Sequence, residues 1–231
     1  MISQFKRTPL LFKSILAVVM AVYSITTLAT AASKPIPPDT LINNLFNEVN
    51  ARLKQDKDKI AADKGYLVTI GEDVLVPYIS FQTMAKQILG KNWRKITPDQ
   101  RERYTQAFKQ RVSSSIVAQY DPGKEYDLKV TGFRTNDADD RAIVNSEVTE
   151  RDTGKKYQIS YKLYLDRKTD HWMVYDVAVE GVSVLQSFKT ASAEDFRRNG
   201  IEYMINELKK SPNSKDAPAS NSAQQTQAST H

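Results

Sequence analysis

Leu41, Leu45, Val49 and Leu53 recur every four residues with Ile42 and Phe46 beside them, which predicts an amphipathic helix behind the extended Pro35, Pro37 and Pro38. The polar stretch from Lys54 to Lys64 keeps only Ile60, Ala61 and Ala62 as apolar members, so a short helix ending at Gly65 is expected. Gly71 and Pro77 break up the next segment. Apolar residues then crowd together at Val74, Leu75, Val76, Tyr78, Ile79, Phe81, Met84, Ala85, Ile88 and Leu89, closed by Gly90.

Thr97-Pro98-Asp99-Gln100 is a helix-start signal: a Thr cap, Pro at the first helical position, and Gln three residues after the cap. The helix it opens carries Tyr104, Ala107, Phe108, Val112, Ile116 and Tyr120 at three- and four-residue steps, and Asp121-Pro122-Gly123 ends it.

Beyond that point the period falls from 3.6 to 2. Tyr126, Leu128 and Val130 alternate with polar residues, Ala142, Val144 and Val148 share one parity, and Tyr157, Ile159, Tyr161, Leu163 and Leu165 follow. Met173, Tyr175, Val177 and Val179 complete the series. Polar turns at Asn136 to Asp140, Asp152 to Lys155 and Arg167 to Asp170 separate these runs, which predicts a four-stranded antiparallel meander. A final helix is expected from a cap at Ser192, carrying Phe196, Ile201, Met204, Ile205 and Leu208. Helices followed by a meander and a returning helix make an α+β pattern, with the apolar stripes covering one face of the sheet. An ordinary filled core and a cavity between the layers both fit that periodicity.

The ends differ from this body. Lys6, Arg7 and Lys13 precede the apolar run Ile15 to Tyr23, and Ala29-Thr30-Ala31 is a small-residue cleavage site, so residues 1–31 read as a secretory signal peptide. Its removal lowers the 33 basic residues to 30 against 27 acidic ones, and the net charge from +6 to +3. A mildly basic exported chain is compatible with visiting an anionic membrane surface and gives no argument for nucleic acid. Residues 211–231, rich in Ser, Ala, Gln and Asn, are expected to be a disordered tail. Residues 32–210 are left as the single folded domain.

The chain has no Cys, so disulfides, thiolate metal sites and a thiol nucleophile are excluded. Its two His are His171 and His231. G-x-x-x-x-G-K-[ST], G-x-G-x-x-G, H-E-x-x-H and G-x-S-x-G are all absent. Asp176 and Glu180 share a strand parity and suit either acid–base work or hydrogen bonding to neighbouring helix ends. Lys91, Trp93, Arg94, Lys95, Arg101, Arg103 and Tyr104 interleave cations with aromatics, as either a solvated helix face or a surface for lipid heads or an acidic partner.

Several segments together resemble a known family. They are Leu75-Val76-Pro77-Tyr78-Ile79-Ser80-Phe81, Met84-Ala85, Ile88-Leu89-Gly90, Trp93-Arg94 and Gln100-Arg101, then Trp172-Met173-Val174-Tyr175-Asp176, Glu180-Gly181-Val182-Ser183 and Gly200-Ile201. In this order, from about Pro38 to Leu208, they look like the MlaC (toluene-tolerance auxiliary component) proteins. The resemblance implies a periplasmic phospholipid carrier that moves lipid between an inner-membrane ABC transporter complex and an outer-membrane lipoprotein complex, maintaining outer-membrane lipid asymmetry. It implies no catalysis and no cofactor beyond the phospholipid cargo. The implied fold is NTF2-like or cystatin-like, with helices over a curved four-stranded antiparallel sheet and an acyl-chain pocket between the layers. The expected lining is Val76, Tyr78, Ile79, Met84, Ile88, Tyr104, Phe108, Val112 and Ile116 from helices. Strands are expected to add Tyr157, Ile159, Tyr161, Leu163, Met173, Tyr175, Val177 and Val179. Two rival readings remain: an enzyme using Asp176 or His171, and a lipid-free interaction protein with a filled core.

Overall fold

The computed structural model describes residues 35–210; the expected signal peptide and tail lie outside the described residues. Helix α1 (Pro38–Gln55) starts with Pro at its first position, and turns Leu41, Ile42 and Leu45 inward. Helix α2 is short (Lys57–Ala62) and stops at Asp63, not at Gly65. Asp56, buried between α1 and α2, accepts from Arg52 and Lys59 at 3.2 and 2.8 Å, which holds the junction. Helix α3 (Tyr66–Val74) runs through Gly71, which breaks nothing. A 3₁₀ turn at Val76–Tyr78 contains Pro77, and α4 (Phe81–Leu89) follows.

Helix α5 (Pro98–Gln119) carries the full capping box: Thr97 accepts from the Gln100 N–H and Gln100 accepts from the Thr97 N–H. The strands are β1 (Tyr126–Thr135), β2 (Arg141–Glu150), β3 (Lys156–Asp166) and β4 (His171–Val179), antiparallel in chain order, with all three turns where the polar runs place them. A fifth, two-residue strand, β5 (Val182–Ser183), corrects the four-strand expectation. Its origin is local: Glu180 and Gly181 both have positive φ, 50° and 78°, as a two-residue hairpin requires, and Val182 pairs back on Val179.

Ser183 then caps α6 (Val184–Lys209), accepting from the Gln186 N–H at 3.0 Å. The cap of the last helix therefore lies nine residues before the expected one at Ser192, which is instead a buried residue within the helix. Gly200 breaks α6 with φ 74° and ψ −177°, a conformation that suits a residue without Cβ.

Two apolar clusters result. One joins α4, α5 and α6 around Met84, Ile88, Tyr104, Phe108 and Ile205. The other seats α1, α2 and α3 on one face of the sheet, around Leu41, Ile70, Val144, Leu163 and Trp172. Ile79 packs against both and bridges to Val174, so the segment before α4 runs along the β4 edge.

Candidate ligand-binding face

Antiparallel partners point to the same side of a sheet, so the register defines what the face under α1 and α3 presents. Its successive rows are Thr135–Ala142–Leu163–Val174, Phe133–Val144–Tyr161–Val177, Val130–Ser146–Ile159–Val179 and Leu128–Val148–Tyr157. Cover thins along β3 and β4, while at the β1 edge Thr135 and Phe133 of the first two rows are exposed and on β2 Ser146 of the third is fully buried. Ala142, Leu163, Val174 and Val144 are buried, whereas Tyr161, Val177, Val130, Ile159, Val179, Leu128, Val148 and Tyr157 are half-buried. On β3 and β4 the first of these rows are covered more completely than the last.

Two bulges set this arrangement. In β1 the register shifts between Val130 and Gly132, and in β4 Tyr175 is the extra residue, since Val174 pairs with Leu163 but Asp176 pairs with Lys162. Uninterrupted alternation would have put Met173, Tyr175, Val177 and Val179 together. Instead Trp172, Val174, Val177 and Val179 share the inner face, while Met173 pairs with Tyr164 on the other side and Tyr175 packs against the helical cluster.

The other expected lining residues fall into three groups. Tyr157, Ile159, Tyr161, Val177 and Val179 lie side by side on the half-buried face, with Leu163 beneath α1 and α3. Met84, Ile88, Tyr104 and Phe108 are buried in the helical cluster; Phe108 meets Phe81 and Phe188 edge-on at 6.2 and 5.0 Å. Val76 and Val112 pack at the margin of that cluster, Ile79 between the two, Tyr78 against the sheet-side cluster, and Ile116 is 58% exposed. Leu128, Val130 and Val148 also belong to the half-buried face; their strand parity was visible in the sequence, but their alignment with Tyr157 and Ile159 needed the register.

Polar atoms on this face are few. Ser146 is fully buried in its third row, and its side chain offsets part of the upward pKa shift that burial imposes on Tyr161. In the helical cluster burial likewise pushes the Tyr104 hydroxyl up to about 12, with Ser192 beside it opposing the shift. Asp176, 1% exposed, accepts from the Ser183 hydroxyl, the Leu185 N–H at 3.1 Å and Lys162 Nζ at 3.0 Å. Its carboxylate thus joins β4 to the start of α6, the helix-end role that its parity allowed. His171 is exposed at the start of β4 and stacks on Tyr78 with centroids 6.2 Å apart.

The cation–aromatic segment is largely spoken for by structure. Trp93 is buried, with the Arg101 guanidinium 5.6 Å over its ring and donating to its carbonyl. Arg103 forks onto Glu202 at 2.8 and 2.7 Å and also donates to Asp99. Lys91, Arg94 and Lys95 stay exposed. Among the described residues no group of three or more His, Asp or Glu is placed to hold a metal ion, and no helix is long and apolar enough to cross a membrane.

An α+β protein with helices seated on an antiparallel sheet, one of whose apolar faces is incompletely covered, is a known architecture. The fold is similar to that of the phospholipid-binding protein from Ralstonia solanacearum, solved in complex with a phospholipid, at a TM-score of 0.65 and 18% identity, over 74% of this chain and 98% of that one. The model of the family described as "MlaC protein" matches residues 43–210, and the chain belongs to that family. Relatives include the intermembrane phospholipid transport system binding protein MlaC of Haemophilus influenzae, 20% identical over 86% of this chain and 91% of its own. The toluene tolerance protein ttg2D of Pseudomonas putida is 25% identical over 80% of this chain and 82% of its own.

Proposed function

We propose that this protein is a periplasmic phospholipid carrier, passing lipid between an inner-membrane ABC transporter complex and an outer-membrane lipoprotein complex and so sustaining outer-membrane lipid asymmetry. The observation that carries the reading is the run of half-buried apolar rows from Tyr161 to Tyr157 across four strands. A soluble domain leaves such a surface part-covered when something else completes it. Family membership and the lipid named for the Ralstonia protein support a diacyl phospholipid as that partner. An NTF2-like arrangement, with acyl chains between helices and sheet, belongs to this proposal.

The energetics suit a carrier. A phospholipid holds on the order of 30 apolar CH₂ groups, and at about 0.8 kcal/mol each roughly 24 kcal/mol of transfer free energy forbids crossing water unaided. An apolar face returns about what the bilayer gave, so exchange is near balance and direction comes from the docking complexes. Two chains need a volume on the order of 1,000 Å³. The tighter packing of Met84, Ile88, Tyr104 and Phe108 makes the sheet residues the principal lining in this proposal, with Val112 and Ile116 of α5 facing the lipid as it enters.

The test is to export the protein with its own leader, purify it without detergent, and weigh it under native and denaturing conditions. A mass excess that vanishes on denaturation and extracts as diacyl phospholipid is expected. A clean apo mass that lipid vesicles do not change would sink the reading. Tyr161→Glu supplies the residue-level check: lipid loading should be lost with the fold retained.

A further inference from the structure

The inner face does not end at its last apolar row. Tyr126 pairs with Glu150, and the Glu150 N–H donates to the Lys155 carbonyl at 2.9 Å, so Tyr126, Glu150 and Lys155 form a fifth row on the same side as Leu128, Val148 and Tyr157. Lys124, two residues before Tyr126, reaches into this row and pairs with the Glu150 carboxylate. Lys155 sets its ammonium 4.9 Å from the centre of the Tyr157 ring. The face is therefore graded: buried and apolar under α1 and α3, half-buried and apolar in the middle, and bordered at its open end by two lysines and two tyrosines.

The other side of the same corner is neutralised within itself. Arg151 is held by Asp127 and Glu125, and Lys156 by Glu147. On the inner side the two cations meet Glu150, whose side chain is almost wholly buried while Lys124 and Lys155 remain accessible, and Asp152 of the adjoining turn also acts electrostatically on Lys124. Glu150 is pulled down in pKa first by the Lys124 ammonium, so it is ionised and anchors that lysine in place. Within this row the accessible charged groups are the two ammonium groups.

We infer that Lys124 and Lys155 bind the phosphodiester of the carried lipid, fixing its orientation with the head at the β2–β3 turn and the chains directed toward Tyr161. This rests on the carrier reading and deepens it. Ammonium groups recognise phosphate as point charges, so the alcohol beyond the phosphate is left in solvent and is not read. The protein should therefore require a phosphate and tolerate either ethanolamine or glycerol on it.

Loading is measured with the full mature chain and vesicles containing phosphatidylglycerol, phosphatidylethanolamine or a diacylglycerol with the same chains. A parallel thermal-shift arm uses inorganic phosphate alone. Replacing Lys124 by itself would strand a buried carboxylate, so the variants are Lys155→Glu, at an exposed position, and the triple K124M/E150Q/K155M. The wild type should load both phospholipids alike and at least about tenfold above diacylglycerol. The variants should bring that ratio near one while diacylglycerol uptake persists. A wild-type ratio near one, or an undiminished ratio in both variants, overturns the phosphate assignment and leaves the carrier standing. No uptake of any of the three lipids by the wild type overturns the carrier reading itself. Stabilisation of the wild type, but not of the variants, by inorganic phosphate alone would assign the lysines to free phosphate instead of lipid.

Discussion

The helical cluster and the inner sheet face are both made of large apolar side chains at regular spacing, yet they are finished to different degrees. Tyr104 and Phe108 are wholly buried, with Phe81 and Phe188 packed edge-on around Phe108. Ile159, Tyr161 and Val179 keep part of their surface open although they sit mid-sheet. A side chain in the first region has protein neighbours on every side and contributes to stability directly. One in the second keeps part of its surface uncovered by protein, so it contributes less to the stability of the chain alone.

That difference can be broken experimentally. Phe108→Ala should show the largest effect, a loss of about 3–5 kcal/mol in urea unfolding, because the cavity lies in a packed helical core. Asp176→Ala should follow at about 2–3 kcal/mol, since Ser183, Leu185 and Lys162 all lose a charged acceptor at the α6 start. Far-UV spectra through the transition would show whether α6 is released first; uniform loss would contradict this joint role. Ile159→Ala should cost the empty protein about 1 kcal/mol or less, yet reduce lipid loading several-fold. An Ile159 effect as large as that of Phe108 would erase the distinction between the two regions.

The smallest effect concerns the exposed clamp between α5 and α6. Hydrogen bonds from Arg103 and then Gln100 lower Glu202 to about 2. A carboxylate depressed on folding contributes stability that is complete above its unfolded value, about 4.3, and that fades as pH falls through about 2. The midpoint difference between wild type and Glu202→Gln should therefore be constant near neutrality and shrink between pH 4 and 2. A difference unchanged at pH 2 would trace it to packing and not to charge. Added salt should shrink it as well, as for any exposed pair.

How much of this was legible depended on the range of the interaction. The α5 cap was readable because Thr97 and Gln100 bond within one turn. The three turns of the meander coincide with the polar runs that break the alternation. Ser183 as the cap of α6 was missed, although Glu180-Gly181 is a hairpin signal of two residues, because Ser192 to Asp195 offered an equally good local start. The deciding contact is Asp176 accepting from Leu185, a β4 residue fixing a helix end. Likewise Met84 and Tyr161 both read as apolar positions on a buried stripe; which one ended in a closed core depended on the element packed opposite.

The sequence by itself determined the order and type of the main helices and the four long strands, through its period, and the presence of one apolar side on each, because these follow from residues within a turn or a strand of one another. Only the tertiary structure decided that Tyr175 bulges, that Val177 rejoins Tyr161, and that Lys124, Glu150 and Lys155 meet at the open end of the apolar rows. Those outcomes depend on register between strands and on the extent of helix cover, which are settled by packing between distant segments that no local pattern encodes.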